Sequence, residues 1–83
     1  MRNPMSLADL QPKSKAVVRH VNIGGLVSYR LMEMGLVEGA VVEILGRAPF
    51  GDPLRVRLGD YRLSIRVADA RLVEVVQAAD AQR

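Results

Sequence analysis

Residues 54 to 67 limit the fold more than any other stretch. Leu54-Arg55-Val56-Arg57-Leu58 alternates apolar and charged residues without a break, and Tyr61-Arg62-Leu63-Ser64-Ile65-Arg66-Val67 alternates apolar with polar in the same way. Successive side chains of a strand point to opposite faces, so a strict period of two gathers the apolar residues on one side and the arginines on the other. Gly59-Asp60 separates the two runs. A two-residue connection with a glycine free to take positive φ predicts a tight hairpin, in which Leu58 faces Tyr61 and Arg57 faces Arg62. A flat sheet built on this hairpin would leave an apolar face exposed and two edges bare, and closure removes both problems.

The rest of the chain supplies strands to close with. Val41 to Arg47 and Leu72 to Val76 read as strands, and Lys15 to Ile23 is a third, β-branched run whose impure alternation leaves its buried face open. Gly24-Gly25 ends that run. From Leu26 to Met34 the period turns helical, with Val27, Leu31 and Met34 on one stripe, and Gly35 follows where a helix end favours positive φ. Leu7 and Leu10 make an apolar pair on an N-terminal helical turn with Ser6 as its cap, and Gln11-Pro12-Lys13-Ser14 breaks the chain after it. Ala48 to Pro53 is too rich in proline for a ladder, and Asp69-Ala70 suggests a short turn before the last strand. About five short antiparallel strands without long crossovers predict an all-β (mainly β) fold, a small barrel with a short added helix and an N-terminal helical turn. The expected interior is Val42, Ile44, Leu54, Val56, Leu58, Tyr61, Leu63, Ile65, Val73 and Val75, with the helix stripe closing one end. The domain spans 6–76. Residues 1–5 are expected to be a disordered start or an expression remnant, with Met5-Ser6-Leu7 reading as a natural start, and 77–83 a flexible tail.

Composition removes several classes of function. The 83 residues suffice for one domain, and aromatics at 4% leave the core to Val, Leu, Ile and Met. No cysteine is present, which excludes disulfides and thiolate metal sites. One imidazole, His20, cannot close an iron or zinc site within a chain, so it serves as a metal ligand only in a site shared between chains. No apolar run approaches the ~18 residues of a membrane span, and the N-terminus lacks a signal peptide, so a cytoplasmic location without membrane insertion is expected. The hydroxyl candidates Ser6, Ser14, Ser28, Ser64, Tyr29 and Tyr61 form no spaced nucleophile–base set, so no enzyme is expected and no cofactor is implied. Net charge is +3, with ten of the twelve basic residues arginine. That suits an acidic protein face, nucleic acid or anionic lipid alike.

The ordered series Arg30-Leu31, Met34-Gly35-Leu36, Gly39, Ala48-Pro49-Phe50-Gly51-Asp52-Pro53, Leu63-Ser64-Ile65-Arg66 and Val73-Glu74-Val75 resembles the FeoA family. The resemblance runs from about Leu7 to Val76. It implies an SH3-like barrel with an added helical segment, and a role in bacterial ferrous iron uptake beside FeoB, a membrane transporter with a cytosolic GTP-binding domain. Two positions depart from the family pattern. Glu38 stands where proline usually precedes the glycine after the helix, and Pro12-Lys13 stands where the family tends to carry Pro-Gly, a residue that tolerates positive φ.

With Val27, Leu31 and Met34 inward, the opposite helix face carries Leu26, Tyr29, Arg30 and Glu33, a composition suited to protein contact. Either this face docks on the transporter, with Arg30 able to act in trans on its GTP site, or Leu26 and Tyr29 pack under the N-terminal turn against Leu7 and Leu10. On the hairpin, Arg57 opposite Arg62 calls for something to offset the like charges, either a neighbouring carboxylate such as outward-facing Glu43 or plain solvation; an anionic partner is the other reading. Nucleic acid is not expected, since the arginine face lacks stacking aromatics. Phe50 is expected to cap the barrel from a rigid turn, the other reading being an exposed partner contact. Two alternatives to the transporter role stay open, an SH3-like module related to the C-terminal domain of iron-dependent repressors and a nucleic-acid-binding small barrel. A weak homo-oligomer also stays open.

Overall fold

A computed structural model of the chain describes residues 5–22 and 25–78. Ile23, Gly24, Met1 to Pro4 and the tail beyond 78 lie outside the described residues. Among the described residues, six strands form one antiparallel sheet: β1 Met5–Ser6, β2 Lys15–Val21, β3 Val41–Arg47, β4 Leu54–Leu58, β5 Tyr61–Ile65 and β6 Val73–Gln77. Their order across the sheet is β1-β6-β2-β3-β4-β5. Helix α1 (Leu26–Glu33) joins β2 to β3, and a one-turn helix, α2 (Val67–Ala70), joins β5 to β6. Beyond the five expected strands, Met5 and Ser6 pair with Val75 and Glu74. Two residues are too few for a periodic signal, which is why this strand is silent in the sequence. Met5 and Gln77 both lie in strands, one residue outside the expected span at each end.

The hairpin has the expected register, with Leu58 opposite Tyr61 and Arg57 opposite Arg62. Gly59 takes φ +56°, as a two-residue turn with glycine in its first position requires. Beneath it, Leu54, Val56, Leu58 and Ile65 join Val42, Ile44, Val73 and Val75 in the buried core. Ala16, Val18 and Val21 show which face of β2 turns inward. The phase of that face slips by one residue at a bulge between Val18 and His20, which explains the impure alternation.

The ladder stops at β1 and β5, and side chains bridge the gap between those edges. The 3-10 turn Leu7–Asp9 after β1 packs against α2 after β5. Leu7 and Leu10 are buried there. The Asp9 carboxylate accepts the Ser6 N–H at 2.8 Å, and the Arg47 guanidinium donates to the Ala8 carbonyl at 2.5 Å.

Helix α1 ends in a Schellman turn. Leu36 N–H donates to the Leu31 carbonyl at 3.1 Å and Gly35 N–H to the Met32 carbonyl at 3.0 Å, with Gly35 at φ +106°. This reversal drops Leu36 into the core, fully buried beside buried Leu31. Val27 and Met34, the other members of the expected stripe, are only partly buried.

Three expected interior positions come out differently. Tyr61 is 50% exposed, because its hydroxyl reaches out to donate to the Met34 carbonyl at the end of α1. Leu63 is only partly buried, since β5 is an edge strand with a neighbour on one side alone. Phe50 does not cap the barrel: it is 98% exposed at the tip of the 48–53 loop. That loop closes on itself through Ala48 N–H to the Pro53 carbonyl and Gly51 N–H to the Ala48 carbonyl, which leaves its tip pointing to solvent.

The two departures from the family pattern are visible in the backbone. Val37 to Ala40 is a turn closed by Ala40 N–H to the Val37 carbonyl, with Gly39 at φ +90°. Its second position, held by Glu38, is one that proline also suits. Lys13 has φ +72°, the one non-glycine residue with positive φ among those described, and it is pinned there by its N–H to the Ile44 carbonyl at 2.7 Å.

Two substitutions test these turns by urea unfolding. Lys13→Gly relieves the left-handed backbone and should raise stability by about 0.5–1 kcal/mol; no gain would mean that the turn carries no strain. Gly35→Ala should lower stability by about 1–3 kcal/mol, because a Cβ at this φ would also stand 2.9 Å from the Tyr61 hydroxyl; an unchanged midpoint would mean that the turn rearranges freely.

Candidate protein-docking surface

Burial of Leu31 on one side of α1 turns the opposite side to solvent. Leu26 is 73% exposed and Tyr29 61%, and Arg30 and Glu33 are exposed as well. The four residues expected to form one face therefore share the solvent side of the helix. Leu26 and Tyr29 do not pack under the N-terminal turn; Leu7 and Leu10 are buried in the barrel core instead. Ser28 is buried, its hydroxyl donating to the Gly25 carbonyl at 3.0 Å in the first turn.

Met32, which the sequence reading did not single out, extends this face. It stands three residues beyond Tyr29, so Leu26, Tyr29 and Met32 follow an i, i+3, i+6 row of exposed large apolar side chains. Past the reversal, Val37 and Val41 are exposed as well. Met32 and Val37 line a shallow depression of about 260 Å³ that His20 and Glu38 also border. The signal for Met32 was in the spacing. A search for one inward stripe and its direct opposite passes over residues on the flank.

On its other flank α1 runs beside β5, and a groove of about 240 Å³ separates them. Val27, Leu31, Met34 and Ile65 give it apolar walls, and Arg30, Arg66 and Asp69 border it.

The arginine face of the hairpin is partly compensated. Glu43 of β3 lies opposite Arg57 and forms a salt bridge with it, as expected from the like-charge opposition to Arg62. This pair is exposed enough to contribute only about 0–1 kcal/mol. Among the described residues, no carboxylate pairs with Arg30, Arg55, Arg62 or Arg66. A depression of about 440 Å³ lies over Arg47, Arg55, Arg62 and Ser64 at the bulge of β3.

His20 is exposed on β2 opposite Glu74. Among the described residues, no group of three His, Asp or Glu side chains converges as a metal site would require. No helix among them is long and apolar enough to cross a membrane.

Comparison with known proteins places this geometry. The FeoA domain family matches residues 5–77. A Fe(2+) transport protein A/Fe(2+) transporter FeoB fusion protein of Porphyromonas gingivalis (strain ATCC BAA-308 / W83) is 37% identical over 71 residues, which is 86% of this chain and 8% of that protein. The chain thus spans a small fraction of this curated relative. The solution structure of an FeoA-like protein from Clostridium acetobutylicum superposes with a TM-score of 0.84 at 35% identity, covering 93% of this chain and 90% of the other. A zinc-complexed FeoA from Stenotrophomonas maltophilia, described as a procaryotic SH3 domain protein, gives 0.78 at 34% identity over 90% and 92%. More distantly, a manganese-dependent transcriptional repressor gives 0.81 at 13% identity over 93% of this chain and 42% of its own, a likeness of fold alone. By sequence and by its SH3-like architecture, the chain belongs to the FeoA family.

Proposed function

We propose that this chain is a non-enzymatic, cytoplasmic accessory protein of bacterial ferrous iron uptake that acts by binding an FeoB-type transporter through the outer face of α1. The observation that carries the reading is the row Leu26, Tyr29 and Met32, exposed on a helix whose other side is anchored by Leu31 and Leu36. Single exposed apolar residues are ordinary, but a contiguous row flanked by Arg30 and Glu33 has the composition of a protein contact. Two relatives support the transporter as the partner. The P. gingivalis protein joins transport protein A to FeoB in one polypeptide, and the S. maltophilia protein is described as a candidate activating factor of ferrous iron transport. The repressor alternative has the shared fold behind it, at 13% identity.

The test is affinity for the transporter's soluble GTP-binding domain, wild type against Leu26→Asp. Because Leu26 is mostly exposed, the variant should keep its thermal midpoint. It should bind at least about tenfold more weakly, which corresponds to ~1.4 kcal/mol. A folded variant that binds as wild type overturns the contact. GTP turnover by the same domain, with Arg30→Ala as control, separates two roles for Arg30: unchanged turnover at saturating protein would leave it a contact residue only.

A further inference from the structure

The two edges of the sheet are not alike. β1 is two residues long and leads directly into the 3-10 turn. β5 is five residues long, has β4 as its one ladder partner, and has α1 standing off from it across the groove. Backbone alternation fixes what this edge presents. A two-residue turn makes the flanking pair Leu58–Tyr61 hydrogen-bonded, and in an antiparallel ladder every second pair repeats that state. Val56–Leu63 and Leu54–Ile65 are then bonded pairs as well. Arg62 and Ser64 fall between them, so their N–H and C=O groups point away from β4. No hydrogen bond among the described residues uses these four groups.

We propose that the edge of β5 binds an extended, acidic segment of a partner protein as an added strand. Bare amide and carbonyl groups spaced two residues apart match another peptide backbone. The side chains set the pattern of the occupant. Residues opposite Arg62 and Ser64 share their outer face, where, among the described residues, Arg55, Arg62 and Arg66 lack a carboxylate partner and Glu43 is committed to Arg57. Those positions of the ligand are acidic. The residues between them turn toward the groove and its walls, Val27, Leu31, Met34 and Ile65, and are therefore apolar. A second copy of this chain fits poorly, because pairing β5 with itself brings arginines together. A nucleic-acid strand offers phosphates to the arginines but no backbone partner for the exposed amides. This surface is distinct from the Leu26–Tyr29–Met32 row and does not depend on the transporter assignment.

The test uses the full chain and an acetylated, amidated heptapeptide of alternating valine and glutamate, followed by amide NMR at low salt. Before addition, the Arg62 and Ser64 amides should exchange with solvent faster than those of Tyr61, Leu63 and Ile65. On addition, they should shift and become protected. The double variant Arg62→Glu/Arg66→Glu should weaken binding at least about fivefold, and 0.5 M salt should weaken it as well. Leu26→Asp should bind the peptide as wild type does, so failure of the helix contact and failure of this proposal read out separately. Overturning results are no binding at millimolar peptide, an equal response to a valine–lysine peptide, perturbations away from β5, or stronger perturbation of the same amides by a single-stranded oligonucleotide.

Discussion

The reversal at Gly35 is the point on which the rest of the molecule turns. A helix of eight residues is too short to be stable on its own, so α1 persists because its end is locked to the barrel. Three effects converge there. The positive φ of Gly35 lets the Leu36 N–H bond back to the Leu31 carbonyl. The same turn sends Leu36 into the core. The Tyr61 hydroxyl then satisfies the Met34 carbonyl, one of those a helix end leaves without an intrahelical partner. A side chain at Gly35 would meet that hydroxyl, so the backbone shape and the β5 tether demand the same residue for separate reasons. Because α1 is fixed from below, its outer row can be apolar without dragging the helix inward, and that row is already ordered, as a docking role would favour.

Closure follows a related logic. Six strands in one sheet leave two edges, and the molecule treats them differently. At β1 the strand is cut to two residues and followed by a turn that carries Leu7 into the barrel. The 3-10 turn and α2 then fill the seam with apolar packing where a hydrogen-bonded ladder would otherwise run. β5 keeps its length, with a charged outer side. Arginine along an edge discourages self-association by repulsion while leaving the edge open to an oppositely charged strand.

Much of this was legible in the sequence, and the exceptions have physical causes. The hairpin could be read to the residue because strict alternation and a Gly-Asp turn fix both face and register. Gly35 could be read because a helix end has a specific need that glycine meets. Charge opposition pointed to Glu43 as one candidate to offset Arg57, and the salt bridge selects it over plain solvation. Tyr61 misled because period-two reasoning assigns a face but cannot see that a hydroxyl will seek a carbonyl 27 residues away in sequence. Phe50 misled because hydrophobicity argued for burial, whereas a loop closed by its own backbone bonds holds its tip outward. Leu36 carries no periodic signal of its core position, since it lies outside every periodic segment and is placed by the turn before it. β1 carried no pattern at two residues. On the helix, Met32 was overlooked because the outer face was drawn as the opposite of a stripe, whereas exposure on α1 also reaches its flank.

The departure at Lys13 bears on how such a small domain distributes its strain. The left-handed position before β2 is held by a hydrogen bond from the Lys13 N–H to the Ile44 carbonyl, at the point where β2 and β3 begin to pair. A glycine there would avoid the cost of a Cβ at positive φ, and this chain bears that cost. The position can tolerate lysine because its side chain is exposed and the strain is local, relieved neither by nor against the core. Gly35 is costlier to replace, since a Cβ there would also meet the hydroxyl that holds α1. Strain is therefore less costly where the chain merely enters the barrel than where α1 is fastened. Substitutions that spare the Gly35–Tyr61–Leu36 lock can vary the exposed outer surface of α1 widely without endangering the fold.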